Sequence, residues 1–262
     1  MRRAAAALAV VPWLLAAGLT AAQPGPNPPG VGAFLLPDAP RYRMAAGFAA
    51  PTERYPHGVL GDPVEWGELQ AELEQEAACF VLPERLVFED IAPRLADVDD
   101  IPGPEILVVE SDAERGARLA IYRASFPVWL GQPHLRRIAA TPFIGRRFRW
   151  LAPAGAADLD GDGRVEIATV ETPHLGRVLR VWRLEAGELV EAASLQGVTN
   201  HRIGDAVISG GLRDCGDGPE LVLANDDWTR LVAVRFDGAA LIPRDIGPLA
   251  GAGSFAVALG CR

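Results

Sequence analysis

Hydrophobic positions over most of the chain fall in short runs that alternate with polar ones and end at glycine, proline or acidic turns. Arg118-Leu119-Ala120-Ile121-Tyr122, Val178-Leu179-Arg180-Val181-Trp182 and Leu231-Val232-Ala233-Val234-Arg235-Phe236 are rich in β-branched and aromatic residues, the composition of half-buried strands. A shorter and more uniformly apolar run precedes two of them, Ile106-Leu107-Val108-Val109 and Leu221-Val222-Leu223. Further strands are predicted over 189–195 and 240–243, after Glu185-Ala186-Gly187-Glu188 and Asp237-Gly238, which suit hairpin turns. Segment 64–80 has enough helix formers for an amphipathic helix. A hairpin of 66–72 and 78–83, turning through Glu74-Gln75-Glu76, is preferred because it completes a first, divergent unit. The closing run, Ser254-Phe255-Ala256-Val257-Ala258-Leu259, reads as a tail strand.

The N-terminal pattern is of another kind. Met1-Arg2-Arg3, an apolar stretch from Ala4 to Leu19 and then Thr20-Ala21-Ala22 make a secretory signal peptide over residues 1–22. The apolar stretch is shorter than the roughly 20 residues of a spanning helix, and no transmembrane segment is expected after cleavage. Residues 23–40 hold six prolines and three glycines and read as a stiff leader. The folded domain is expected over 41–262, and its compartment is periplasmic or secreted.

A repeat organises that domain. Ala96 to Asp112 aligns without a gap with Ala157 to Pro173, and Gly210 to Asp226 follows the same plan with a degraded loop. The shared unit is a turn-rich loop, a glutamate and an apolar strand. Its glutamates, Glu105, Glu166 and Glu220, are 61 and 54 residues apart, a spacing that divides the domain into about four units. A unit of about four antiparallel strands leaves its sheet edges open, and radial packing about an axis protects them. The expected fold is therefore all-β, a β-propeller of about four blades, with five left open.

The middle repeat carries the sharpest chemistry. In Asp158-Leu159-Asp160-Gly161-Asp162-Gly163-Arg164-Val165-Glu166, three aspartates alternate into one turn, Gly163 permits the reversal, Arg164 offers a carbonyl and Glu166 closes the set. Carboxylates this close repel one another, and a hard divalent ion, calcium before magnesium, relieves the repulsion. An EF-hand needs a glutamate at its twelfth position, where this chain has Thr169. The first repeat keeps Asp97, Asp99 and Glu105 but has Ile101 in place of Asp162, which makes it a weaker second metal loop. The third keeps only Asp214 and Glu220.

This loop-then-strand unit resembles the FG-GAP/VCBS repeats of integrin-type β-propellers. With Leu86-Val87-Phe88-Glu89-Asp90 and Asn200-His201-Arg202-Ile203-Gly204, the chain is also similar to exported bacterial VCBS-repeat proteins. The resemblance implies calcium-bearing blades and carries no activity with it.

Three cysteines allow three single pairings. Cys215–Cys261 is favoured because it would fasten the tail to the last repeat, leaving Cys79 as a buried small hydrophobe. The four histidines, His57, His134, His174 and His201, show no metal-ligand spacing and read as loop or hydrogen-bonding residues. The cluster of Arg136, Arg137, Arg146, Arg147 and Arg149 reads as a solvated edge near Trp150. All 25 basic residues are arginine, against 34 acidic ones. The net charge of −9 disfavours nucleic-acid binding, which needs clustered positive charge. No nucleophile elbow, phosphate loop or zinc motif is present. The expected function is non-catalytic binding of a protein or carbohydrate ligand. The alternative is a glycan-active hydrolase or lyase that draws acids such as Glu65, Asp90, Glu110, Glu171 and Asp205 to about 5–9 Å across a central channel.

Overall fold

The alternating runs become antiparallel ladders. The computed structural model describes residues 44–73, 76–126, 131–251 and 253–262. The signal peptide, the leader and the turn residues Glu74 and Gln75 lie outside the described residues. Among those described, the strands form three antiparallel sheets, and one short helix follows the last strand. The first sheet holds β1 (Met44–Thr52), β2 (Glu65–Leu73), β3 (Glu76–Val81), β4 (Leu86–Phe88), β5 (Arg94–Ala96), β6 (Glu105–Asp112), β7 (Gly116–Ser125) and β8 (His134–Ala140). The second is a four-stranded meander of β9 (Leu151–Ala157), β10 (Glu166–Glu171), β11 (Val178–Glu185) and β12 (Glu188–Gln196). The third holds β13 (Val198–Thr199), β14 (Gly211–Asp214), β15 (Pro219–Asn225), β16 (Arg230–Phe236) and β17 (Leu241–Pro248).

Successive side chains of a strand point to opposite faces, and here both faces of the inner strands are buried. Along β6, Ile106 and Val108 pack within the first sheet with Leu69, Phe88 and Tyr122. Leu107 and Val109 instead meet Ala152, Ile167 and Leu189 of the second sheet. Leu221 and Leu223 of β15 join Val170, Leu179 and Val181 in a core between the second and third sheets. Each such side chain contributes about 1.5–3 kcal/mol when fully buried, so the sheets are held face against face by their central strands.

Segment 64–80 forms the hairpin of β2 and β3, not a helix. Two expectations are corrected. The tail is not a strand but the helix α1 (Gly253–Leu259). Its Phe255 and Ala258 cover Val222, Ala224 and Leu231, on the face of the third sheet turned away from the second. Phe255, Ala258 and Leu259 have helical spacing, and that spacing lets one stripe of the segment meet the sheet. Cys79 is exposed, not buried. It alternates with the inward-facing Ala78 on β3 and so points outward. Cys215 and Cys261 are disulfide-bonded, with Cα atoms 5.6 Å apart, which ties α1 to the β14–β15 loop.

Candidate functional site

The β9–β10 loop begins at Asp158 and ends at Glu166, the first residue of β10. Its carboxylates fold it by accepting hydrogen bonds from its own amides. Asp158 accepts from the N–H groups of Gly161 and Gly163 at 2.8 and 2.9 Å, and Glu166 Oε2 accepts from Leu159 at 2.8 Å. Gly161 and Gly163 have φ of 80° and 90°, a region costly for residues with a Cβ. Carboxylate oxygens of Asp158, Asp160 and Glu166 come within 4.8 Å of one another. Asp162 lies further out, bonded to the Arg164 guanidinium at 3.1 Å.

A cross-strand arginine completes this corner. Glu166 pairs with Arg183 across β10 and β11. Arg183 Nε donates to Glu166 Oε1 at 2.6 Å, while Nη2 lies 2.6 Å from Asp160 Oδ2 and 3.1 Å from Asp162 Oδ2. Its guanidinium also faces the Phe236 ring of the third sheet, 5.5 Å from the centroid. Of the four carboxylates, Asp160, Asp162 and Glu166 thus bond the guanidiniums of Arg164 and Arg183, while Asp158 meets only backbone amides. The all-oxygen set with two uncompensated negative charges fits a hard divalent cation. Burial pushes the Glu166 carboxyl up, and the Leu159 amide and Arg183 offset only part of that.

The first repeat builds the same corner between β5 and β6. Oxygens of Asp97, Asp99 and Glu105 lie within 4.8 Å of one another. Arg123, on the next rung out from the Ile106 and Tyr122 pair, bonds Glu105 at 2.9 Å and also reaches Asp99. Burial raises the Glu105 carboxyl too. The third repeat differs. Glu220 accepts from Arg213 at 2.5 Å and Arg244 at 3.1 Å, with Arg235 at 3.6 Å. Burial alone would raise its carboxyl, but Arg213 and Arg244 hold it below the usual range.

A second constellation escaped sequence reasoning because its members are far apart in the chain. Three of the four histidines enter it. His57 Nδ1 lies 2.5 Å from Oε1 of the buried Glu89, whose other oxygen accepts from Ser111. Phe148 stacks on His57 at 4.9 Å, and Trp150 Nε1 donates to the Glu89 carbonyl at 2.8 Å. His201 Nε2 bonds the Asp205 carbonyl at 2.8 Å, and a carbonyl only accepts, so this nitrogen carries the proton. In neutral His201, Nδ1 is then the acceptor for His174 Nε2 at 2.9 Å. Burial, with His201 and His57 nearby, lowers His174 to about 4. Glu65 is pushed up to about 9 by burial and then by the charge of Glu89. Among the described residues, the buried side-chain atoms without a hydrogen-bond partner are Glu65 Oε2, Arg177 Nε and Asn200 Oδ1, all on segments bordering this cluster. The two stretches singled out in the resemblance both supply it, 86–90 through Glu89 and 200–204 through His201.

Of the acids considered for catalysis, Glu65 and Asp90 converge near Glu89, but each is about 1 % exposed. Asp90 is clamped by Arg94 at 2.5 and 3.2 Å. Glu110 is engaged elsewhere by Arg118, Arg137 and Tyr122, and Glu171 by Arg180. The supposed solvated arginine edge is only partly that, since Trp150 is buried and Arg137 reaches Glu110. No protein-family model matches the chain, and no curated protein matches it.

Proposed function

We propose that this chain is an exported, non-catalytic β-propeller of the FG-GAP/VCBS type that binds a protein or carbohydrate, with a structural calcium ion at the Asp158–Glu166 loop. The observation that carries the reading is the gathering of the Asp158, Asp160 and Glu166 oxygens at one sheet corner. Asp158, Asp160 and Glu166 would hold the ion, joined by Asp162 and the Arg164 carbonyl as the loop closes. The ion would relieve carboxylate repulsion and tie β9 to β10. A weaker site at Asp97, Asp99 and Glu105 follows the same logic. Four strand groups support about four blades: β1–β3, β5–β8, β9–β12 and β14–β17. The disulfide supports an oxidising compartment, periplasmic or extracellular, and no described helix is long and apolar enough to cross a membrane.

The test is thermal unfolding of the mature chain in calcium and in chelator. Calcium should raise the midpoint of the wild type and shift that of Asp160→Ala far less, through the weaker site alone. A wild-type midpoint indifferent to chelation would sink the calcium reading. Glycan-array binding then sorts carbohydrate from protein partners. The second reading, a glycan-active hydrolase or lyase, draws support from the convergence of Glu65, Glu89 and Asp90. Their burial weighs against it, because a substrate must reach the acids it uses. Turnover of any polysaccharide, lost in Glu89→Gln, would revive it.

A further inference from the structure

Arg183 holds the oxygens that a cation at this corner would need. Its Nε is bonded to Glu166 Oε1 at 2.6 Å, and its Nη2 is 2.6 Å from Asp160 Oδ2. The guanidinium is planar and permanently charged, and its side chain is 12 % exposed. Phe236 lies against it from the neighbouring sheet. It therefore has little freedom to make room for a second positive charge while keeping both bonds. The arginine also does not depend on a cation for its place. In the third repeat, where the loop does not gather a three-carboxylate set, Arg235 occupies the matching rung beside Glu220, at 3.6 Å. The cross-strand arginine belongs to the ladder itself, and the aspartates are an addition to it.

We propose that Arg183 and the calcium ion are alternative occupants of the Asp160 and Glu166 carboxylates, so that the loop takes up calcium by releasing the guanidinium. This rests on the calcium reading of the loop. Arg183 thereby sets the affinity of the loop and links its occupancy to the junction with the third sheet, through Phe236. Removing the arginine removes the competitor and leaves one more negative charge for the ion.

Calorimetric titration of calcium alone into the mature wild type, Arg183→Gln and Arg235→Gln tests this. Arg183→Gln should bind at least about tenfold more tightly than the wild type, while Arg235→Gln should match it. Equal affinity of the wild type and Arg183→Gln would overturn the exchange and leave the calcium site standing. No binding by either would overturn both. Should Arg183→Gln fail to fold without calcium, the wild type still decides the matter by nitrogen-15 NMR. The Arg183 Nε–H, hydrogen-bonded to Glu166, should lose its protection from water exchange as calcium saturates the loop. Protection kept at saturation would overturn the proposal.

Discussion

At the corner of the second sheet, Asp160, Asp162 and Glu166 bond the guanidiniums of Arg164 and Arg183, with Asp158 beside them on backbone amides. At the same corner of the third, Asp217 and Glu220 face Arg213, Arg235 and Arg244, and Cys215 beside Asp214 is bonded to Cys261. Both corners stem from one repeat, and each glutamate opens the strand after its loop or sits one residue in. The second has kept its aspartates and stays short of positive charge. The third keeps only Asp214 and Asp217 in its loop, has more arginines and carries a covalent tie. Burial raises the Glu166 carboxyl, whereas the arginines keep that of Glu220 low. A sheet corner can thus be secured by matched guanidiniums or left with a charge deficit that a cation can fill. Glu65 extends the series. With an unpartnered oxygen and other carboxylates nearby, it is driven up to about 9.

The largest effect should come from Glu220→Ala, which leaves the buried guanidinium of Arg213 without its carboxylate. Breaking such a pair from one side costs about 3–5 kcal/mol, and urea unfolding should show the same loss in calcium and in chelator. A loss that depended on calcium would erase the distinction between the corners. Next, Cys215→Ser should lower stability by about 2–4 kcal/mol and expose the amides of α1 to hydrogen exchange ahead of the second sheet. Uniform exchange would mean that the helix does not rely on its tie.

Glu65→Gln tests the uncompensated extreme. The unfolded glutamate loses its proton above about 4.5 while the folded one keeps it up to about 9. The unfolded state therefore binds fewer protons in that window, and wild-type stability falls as pH rises through it. The amide should remove this slope, with a gain on the order of 3 kcal/mol at pH 7 and little change at pH 4.5. Parallel stability profiles for the two proteins would show that Glu65 finds a partner after all. The smallest effect expected is that of calcium itself, about 2.7 kcal/mol at a hundredfold excess over Kd. It should survive Asp214→Ala and be largely lost in Asp160→Ala.

Much of this was legible in the chain. Alternation in 178–182 marks β11, which buries one side chain in two there, and the β-branched and aromatic residues of 118–122 and 231–236 mark β7 and β16, which bury side chains on both faces. The acidic loop was legible because its ligands are neighbours in sequence. The cross-strand arginines were less visible, since Arg123, Arg183 and Arg235 follow their glutamates at 18, 17 and 15 residues, a spacing set by hairpin length. The cluster of His57, Glu65, Glu89, His174 and His201 had no local signature at all, being assembled by loops from all three sheets. The tail was misread because β-branched Val257 and alternation over a short run outweighed the helical spacing of Phe255, Ala258 and Leu259.

The pinning of α1 has a consequence for how this protein meets other chains. The helix is held at one end by the short connection from β17 and at the other by Cys261. Undocking is therefore intramolecular, with the helix kept at a high effective concentration over its own sheet. The apolar face of Val222, Ala224 and Leu231 is shielded from a second copy of the chain even when the helix loosens for a moment. Under reducing conditions that shield has only one tether, and the first sign of reduction should be self-association, ahead of any loss of strand structure.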